Sequence, residues 1–410
     1  MTLGFEVETA HMKDQWYWSL CAALLIVCLQ LAVVLYKAGP GTLSERYLNL
    51  AQWDTHWYEN IIDKGYHANF PVDIWNSNSV NIKFFPGYPI SAKFVQWLTG
   101  LSTTVSLAIA AQLAAIGFWT YFLLLLRRYK ISWPLILSGV TLILSFPSAY
   151  FLVMPYTEPL FMMSLFGYIY WLDDKRKHSW WIAGIHGCIL SSTKIIGAAV
   201  AILPLIYYLC SRKTRYMQKR KMIAISLMNP TGIVAYLTYV HLKFGNWQLP
   251  FMAEHAWGAY PNYFGIFHLQ FYKIFKPSVV AGVMNPDHVS MIAYPIALIS
   301  IAILLGLDII YSMRKKATML SQRIILYLGA LALWYAYAGA RYSNLGTAGI
   351  RYMLPVVILL IIATLHFCHH CKKERLVQTI TEILFPCLSI FFASIQLGYI
   401  GAFTHGGWVA

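Results

Sequence analysis

Long apolar runs recur along this chain from about residue 16 almost to its end. A helix needs roughly 20 apolar residues to cross the hydrocarbon core of a bilayer, and about eleven segments approach that length. Only 11% of the residues are charged and 59% are hydrophobic, whereas a soluble domain carries about 25% charged residues. The sequence therefore predicts an all-α polytopic membrane protein, with residues 16–36 as a retained first span.

The net charge of +15 is distributed in a way that argues against nucleic acid as a partner. The basic residues form short clusters between apolar runs, as the positive-inside rule expects of cytoplasmic loops. No aromatic-interleaved basic surface or nucleic-acid-binding motif accompanies them. Five such clusters stand out: Arg127, Arg128 and Lys130; Lys175, Arg176 and Lys177; residues 212–221; Arg314, Lys315 and Lys316; and Lys372, Lys373 and Arg375.

The five clusters set the topology. If all are cytoplasmic, each stretch between neighbouring clusters must cross the membrane an even number of times. Residues 180–209 are short for two crossings, so we expect short or re-entrant helices there. Two longer connections then lie on the non-cytoplasmic side of the membrane. We expect residues 1–410 to form one transmembrane domain, with residues 37–100 as the first extracytoplasmic loop and residues 243–290 as the second.

Five ionisable residues from separate connections are predicted at this same non-cytoplasmic face. Charge at membrane depth is costly and usually marks function. Each residue alone has an ordinary explanation, such as capping a helix or reaching for the membrane surface. Five on one side together predict a functional site: Asp54, Glu158, Lys194, His255 and Arg351.

The densest signal is the segment 52–58, in which Asp54 lies among the aromatic residues Trp53, Trp57 and Tyr58. A carboxylate in a partly dry, ring-lined site can act as a general base towards a hydroxyl group. Aromatic rings also suit the C–H faces of sugars. The alternative is that these rings form only an interfacial aromatic belt.

Five short motifs lie between about residues 50 and 355. They are Trp53-Asp54-x-x-Trp57-Tyr58 with Gly65-Tyr66 and the segment 84–89; the segment 146–151 with Pro155-Tyr156-Thr157-Glu158; the segment 192–197; Phe244-Gly245 with the segment 254–257; and Arg351-Tyr352-x-x-Pro355. In this order they resemble the motifs of the GPI mannosyltransferase 2 family and its bacterial relatives. Where relatives often have arginine, the third motif has Lys194, which cannot offer the same bidentate contact to a phosphate.

This resemblance implies a GT-C type bundle of transmembrane helices with a catalytic acidic residue in the first extracytoplasmic loop. It also implies an inverting glycosyltransferase that uses a polyprenyl-phosphate-linked sugar, with mannose the expected hexose, and needs no cofactor or metal. The acceptor is a hydroxyl of a glycolipid or another glycan. The membrane is the plasma membrane in a bacterium or the endoplasmic reticulum in a eukaryote.

Combining the residues with the resemblance gives a hypothesis for each role. Asp54 is the expected catalytic base. The growing charge of the leaving phosphate needs cations, and we expect Arg351 first, because its planar fork matches phosphate oxygens, with Lys194 second. The residues expected to shape the sugar and acceptor site are Trp53, His56, Trp57, Tyr58, Glu158 and His255.

Other interpretations remain open at this point. A transporter or lipid flippase also explains many spans and buried charge, and a non-enzymatic assembly partner is a third possibility. The segment 368–371, Cys-His-His-Cys, has zinc-ligand residue types. It lies at an expected cytoplasmic helix end beside Lys372, so a helix-end cluster is preferred to a metal site. The seven cysteines fall mostly within spans, which argues against a disulfide framework.

Overall fold

A computed structural model provides the three-dimensional structure. It describes residues 2–71, 73, 76, 78–172, 174, 176–210, 216–267, 279–280, 283–315, 320–343, 348–371 and 380–409. Parts of the predicted basic clusters lie outside the described residues, namely Lys175, residues 212–215, Lys316, and Lys372, Lys373 and Arg375.

The described chain is built almost entirely of helices. The α-helices in chain order are α1 (Thr2–Lys37), α2 (Leu43–Leu48), α3 (Asp54–Lys64), α4 (Gly87–Thr99), α5 (Thr103–Arg128), α6 (Trp133–Ser145), α7 (Glu158–Leu172), α8 (Ser179–Thr193), α9 (Leu203–Cys210), α10 (Tyr216–Met228), α11 (Thr231–Phe244), α12 (Leu249–Ala256), α13 (Pro286–Lys315), α14 (Leu320–Ala340), α15 (Gly349–His370) and α16 (Phe385–Thr404). Short 3-10 helices cover Ala149–Leu152, Ile195–Ile202 and Gly265–Phe267, a π-helical turn covers Ile380–Leu384, and β1 (Val279–Val280) pairs antiparallel with β2 (Val283–Met284).

Seven helical segments in the described part of the chain are long and apolar enough to cross a membrane. The chain is therefore an all-α, multi-pass membrane protein, as the sequence predicts. Four shorter helical stretches, α6, α7, α8 and the 3-10 helix running into α9, occupy the places predicted for further crossings. The total of about eleven crossings stays a prediction. The seven segments are Gln15–Lys37, Thr103–Arg128, Lys219–Phe244, Pro286–Met313, Arg323–Ala340, Gly349–His370 and Phe385–Thr404.

Two of the short pairs are interrupted in ways that the sequence explains. Between α6 and α7 the chain contains Pro147 and Pro155, and a residue before proline is disfavoured in helical conformation. Between α8 and α9 the helix stops at Lys194, whose backbone is extended (φ −148°, ψ 138°), and a 3-10 helix follows. Both interruptions place polar side chains at helix ends within the bundle.

Helix α7 lies at the centre of the bundle. All but one of its residues are buried, and it packs against α5 on one side and α8 on the other. Helix α15 is almost as enclosed, whereas α13 exposes a row of isoleucine and leucine side chains. In a membrane protein, apolar side chains face the lipid, and polar side chains at membrane depth face the interior of the bundle.

The two ends of α7 have opposite characters. Glu158 begins the helix, and just beyond its other end Asp174 accepts bonds from two arginines of the first two basic clusters. Its Oδ2 lies 3.0 Å from Arg128 and 2.8 Å from Arg176. The first two predicted clusters therefore meet, at the end of α7 away from Glu158, about 20 Å along the axis.

Short elements in the connections carry the residues of interest. Thr42, directly before α2, and Glu45 form a capping box at the N-terminus of that helix. Helix α4 starts after Pro86 and is capped at its C-terminus by Gly100, whose left-handed backbone (φ +68°) suits glycine. Residues of α12, with Arg341 just after α14 and Ala348 just before α15, lie in the same region.

Candidate active site

An ion pair joins the first and last motifs of the sequence. Nη1 of Arg351, in the first turn of α15, donates to Oδ2 of Asp54, the first residue of α3, over 3.0 Å. The Arg351 side chain is 4% exposed and that of Asp54 is 19% exposed. The carboxylate is thus the member of the pair that a ligand can reach.

The backbone beside each partner has an uncommon conformation. Trp53, directly before Asp54, has φ +51° and ψ −106°, and Ala348, three residues before Arg351, has φ +59°. Such positions cost energy for residues other than glycine and tend to cluster at functional sites. Ser148 and Ser290 fix the start of α15, because Ser148 donates to the carbonyl of Ile350 and Ser290 accepts from its N–H.

The second motif anchors the first. The Tyr156 hydroxyl accepts from the N–H of Asp54 (3.3 Å) and donates to the carbonyl of Gln52 (3.0 Å). Thr55 donates to the carbonyl of Pro155 over 3.2 Å. The start of α3, and with it the Asp54 carboxylate, is therefore fixed against the turn before α7.

Glu158 links both predicted cations. Its Oε1 accepts from Nζ of Lys194 over 2.6 Å and lies 3.3 Å from Nε of Arg351. Glu158 and Arg351 are each 4% exposed, and Lys194 is 16% exposed. A buried charge needs such partners, since removal from water costs several kcal/mol per ion.

The first and third motifs are in close contact at Gly87. A Cβ atom built there would lie 2.7 Å from Oγ of Ser192 and 2.8 Å from Oγ1 of Thr193. Only glycine allows α4 to start this close to the end of α8. This contact holds the segment carrying Lys83 and Phe84 beside Lys194.

These elements enclose a cavity of about 260 Å³. Its wall includes five of the residues predicted from the sequence, and Glu158 lies behind it in contact with Lys194 and Arg351. The five are Asp54, Tyr58, Lys194, His255 and Arg351. Side chains separated by up to 297 positions thus meet in one site.

Three predicted residues lie near the cavity but not on its wall. The Trp57 ring is buried against Phe84 and Trp257, with ring centroids 5.4 Å and 5.2 Å away. Trp53 packs on Trp408 and donates to the carbonyl of Gly407. His56 is exposed and contacts Glu59. Trp57 therefore belongs to the packing of the first loop and not to a lipid-facing aromatic belt.

Three charged residues of the cavity wall were not singled out in the sequence: Lys83, Glu254 and Arg341. Nη1 of Arg341 lies 4.0 Å from a Glu254 carboxylate oxygen. The ammonium of Lys83 lies 3.2 Å from the centre of the Trp257 ring. Their sequence signal is slight, because Lys83 is only the residue before Phe84 and Arg341 follows an apolar span.

The Tyr352 hydroxyl connects the two arginines of the cavity. It accepts from Nη2 of Arg341 over 2.7 Å and from Nη2 of Arg351 over 3.3 Å. A hydroxyl oxygen has two acceptor sites, and both are used here. Its hydrogen is left to donate to a ligand oxygen in the cavity.

The surroundings alter several proton affinities in the extramembrane part of the site. Burial lowers the pKa of Lys83 to about 8. Burial would raise the pKa of Glu254, but the charges of Lys83 and Arg341 outweigh it and the pKa is lowered. Burial, then the charges of Asp54 and Glu158, hold the pKa of Tyr58 well above its ordinary value. Tyr58 is thus a neutral donor and not a base.

Among the residues that the structure describes, no group of three or more His, Cys, Asp or Glu side chains is arranged to hold a metal ion. The segment 368–371 forms the last turn of α15, whose first turn carries Arg351. Nε2 of His366 and Nε2 of His370 lie 3.0 Å apart there. Both histidines lie near the end of α15 that is opposite to Arg351.

Comparisons with known proteins give similarity in structure but no match in sequence. No protein-family model matches the sequence, and a search of curated proteins gives no match. Among solved structures, the chain is similar to ArnT from Cupriavidus metallidurans, crystallised with bound undecaprenyl phosphate. The two are 13% identical, the alignment covers 93% of this chain and 74% of that chain, and the TM-score is 0.49. A similarity of this size identifies neither a family nor a substrate.

Proposed function

We propose that this protein is an inverting glycosyltransferase of GT-C type. It transfers a hexose from a polyprenyl-phosphate donor to a hydroxyl of a glycolipid or glycan acceptor. The observation that carries the proposal is the meeting of Asp54, Lys194 and Arg351 in one cavity. The sequence resemblance to the GPI mannosyltransferase 2 family supplies the donor class and makes mannose the first sugar to test.

Asp54 suits the role of the base. In the network formed with Arg351 and Lys194, its carboxylate is more accessible than that of Glu158. In the proposed step an Asp54 oxygen takes the proton of the acceptor hydroxyl while that oxygen attacks C1 of the sugar. The bond between C1 and the phosphate oxygen breaks, and its electrons leave with the polyprenyl phosphate. Back-side displacement of this kind inverts the anomeric centre.

The cations of the cavity suit a phosphate leaving group. Charge that develops as the bond breaks is stabilised by fixed positive groups in a site shielded from water. The expectation from the sequence is that this phosphate contacts Arg351 and Lys194. Tyr58, His255 and the hydroxyl of Tyr352 line the remaining wall, where they can contact sugar or acceptor hydroxyls.

The proposed site lies on the extracytoplasmic or luminal side. Arg128 and Arg176 lie beyond the far end of α7 from Glu158, which under the positive-inside rule puts the cavity on the opposite face. The plasma membrane of a bacterium and the endoplasmic reticulum of a eukaryote both meet this requirement.

A transporter is less well supported than a transferase. A transport pathway has to open to each face in turn, whereas α7 and α15 beneath the cavity are almost completely buried. A carboxylate held at a cavity by an arginine and the backbone of α3 is also better suited to acting on a hydroxyl than to moving with a cargo.

The decisive experiment uses purified full-length protein in lipid nanodiscs. It receives a polyprenyl-phosphate mannose with labelled sugar and a panel of glycolipid acceptors, beside the Asp54→Asn variant. We expect transfer by the native protein and a loss of about 10²–10⁴-fold in the variant, which is the usual worth of a general base. Near-native transfer by folded Asp54→Asn would refute the assignment of the base. Silence with this donor and with other polyprenyl-phosphate hexoses would refute the proposed reaction.

A further inference from the structure

The positive charges of the cavity differ in what they already bind. The wall and the layer directly behind it hold four cations and three carboxylates: Lys83, Lys194, Arg341 and Arg351, with Asp54, Glu158 and Glu254. An anionic ligand is bound most favourably by a cation whose charge is not already neutralised, because no internal ion pair then has to break. The partners of each cation therefore indicate where a phosphate binds.

Arg351 is already paired with two carboxylates and a hydroxyl group, although its Nε makes an ion contact without a hydrogen bond. Nη1 donates to Asp54, Nη2 donates to Tyr352, and Nε lies 3.3 Å from the Glu158 carboxylate. The rings of Phe151, Tyr156 and Tyr352 surround the guanidinium, with centroids 5.0–5.2 Å from its central carbon. With 4% of the side chain exposed, a bidentate phosphate contact would require breaking these interactions.

Lys83 is in the opposite situation. Among the described residues no carboxylate lies within 4 Å of its ammonium, which rests on the Trp257 and Phe84 rings at the cavity wall. Glu254 is the carboxylate whose charge acts most strongly on Lys83, and it also lies 4.0 Å from Nη1 of Arg341. Lys194, by contrast, bonds Glu158 at 2.6 Å.

We propose that Arg351 is the positioning residue of the two carboxylates and that Lys83, rather than Arg351, binds the donor phosphate. This inference rests on the proposed function and changes the assignment made from the sequence. Arg351 then holds the Asp54 carboxylate in place at the cavity wall through the 3.0 Å hydrogen bond from Nη1 to Oδ2. Lys83 supplies the charge that the phosphate needs, with the Arg341–Tyr352 pair beside it.

Binding of decaprenyl phosphate, which has the phosphate but no sugar, tests the assignment without chemistry. The proteins are the native chain, Lys83→Met, Lys83→Arg, Arg351→Lys and the control Lys64→Met, an exposed lysine that bonds only Asn78 among the described residues. All are assayed as full-length chains in nanodiscs, with uncharged decaprenol as the reference ligand. Elution as a single folded species is required of each variant.

We expect Lys83→Met to raise the Kd at least about tenfold, because a charge-assisted contact is worth about 1.5–3 kcal/mol. Lys83→Arg and Lys64→Met should stay within about threefold of native. Arg351→Lys should also bind within about threefold. Its kcat for transfer should fall about a hundredfold through misplacement of Asp54, whereas the KM for the donor should stay within about threefold of native.

The contrary outcomes are separable. If Arg351→Lys loses decaprenyl phosphate and Lys83→Met binds it normally, the phosphate is held by Arg351 and our inference is wrong. If the native protein prefers decaprenyl phosphate to decaprenol, and both Lys83→Met and Arg351→Lys keep this preference, the inference fails and the proposed function survives. If the native protein shows no such preference, the proposed donor class fails and the inference with it.

Discussion

Nη1 of Arg351 donates to Oδ2 of Asp54 over 3.0 Å, although the two residues are 297 positions apart. The same guanidinium lies 3.3 Å from Glu158, so one cation holds two carboxylates that belong to α3 and α7. The ion pairs of the site therefore also connect the first extracytoplasmic loop to the centre of the helix bundle. Its residues should affect both stability and activity, and the two effects can be measured separately.

Replacement of Arg351 by Met should destabilise the protein strongly. It leaves Glu158 with Lys194 as its one remaining ion-pair partner among the described residues, and Asp54 with none. Removing one member of a buried pair costs about 3–5 kcal/mol. We expect a clearly lower midpoint of thermal unfolding in nanodiscs. Adding Glu158→Gln should recover part of the loss, because coupled residues are not additive. An additive double variant would show that the two do not interact.

Replacement of Gly87 by Ala should disturb the site without touching a charged group. The added methyl would lie 2.7–2.9 Å from Ser192 and Thr193, so α4 must move away from α8. Overpacking of this kind costs about 1–3 kcal/mol, and the shift should lower the transfer rate. Gly306→Ala in α13 is the matched control, since a Cβ there meets nothing within 4 Å. Equal behaviour of the two variants would contradict the close contact.

Binding of the donor should weaken in alkaline solution. Burial lowers the pKa of Lys83 to about 8, with Glu254 from α12 and Asp54 opposing that shift and Arg341 and Arg351 adding to it. Below this pH the ammonium is charged and attracts the phosphodiester, which does not titrate in the range; above it the charge is lost. The donor Kd, measured from about pH 7 to about pH 9.5, should rise towards tenfold per pH unit above the pKa. Lys83→Arg should remove the rise, because arginine stays protonated.

A second buried ion pair allows a test of stability alone. Arg323 of α14 contacts Asp308 of α13 through two bonds of 2.5 Å and 2.6 Å, and neither residue lines the cavity. Asp308→Asn leaves the arginine charge without its carboxylate, at a cost of about 3–5 kcal/mol. We expect a lower unfolding temperature and an unchanged turnover number for the fraction that remains folded. A changed turnover number would indicate that α13 and α14 are coupled to the chemistry.

The amino-acid sequence alone determined that this protein lies in a lipid bilayer, and it determined the approximate position of the helices. Long apolar segments are unfavourable in water, and proline, glycine and basic clusters interrupt them at definite places. The first span and the short helices within residues 180–209 were predictable because they depend on residues close together in the chain. Hydropathy is a local property, so the sequence displays it directly.

Only the tertiary structure decided which charges neutralise one another. Arg351 looked like a phosphate ligand because an isolated arginine fork fits phosphate, but packing gives it Asp54, Glu158 and Tyr352 as partners. Lys83 carried only a slight signal in the sequence, yet in the folded protein its ammonium lies on the ring of Trp257, just after α12, at the cavity wall. A charge in a low-dielectric interior is defined by its neighbours in space, and those neighbours come from distant parts of the chain.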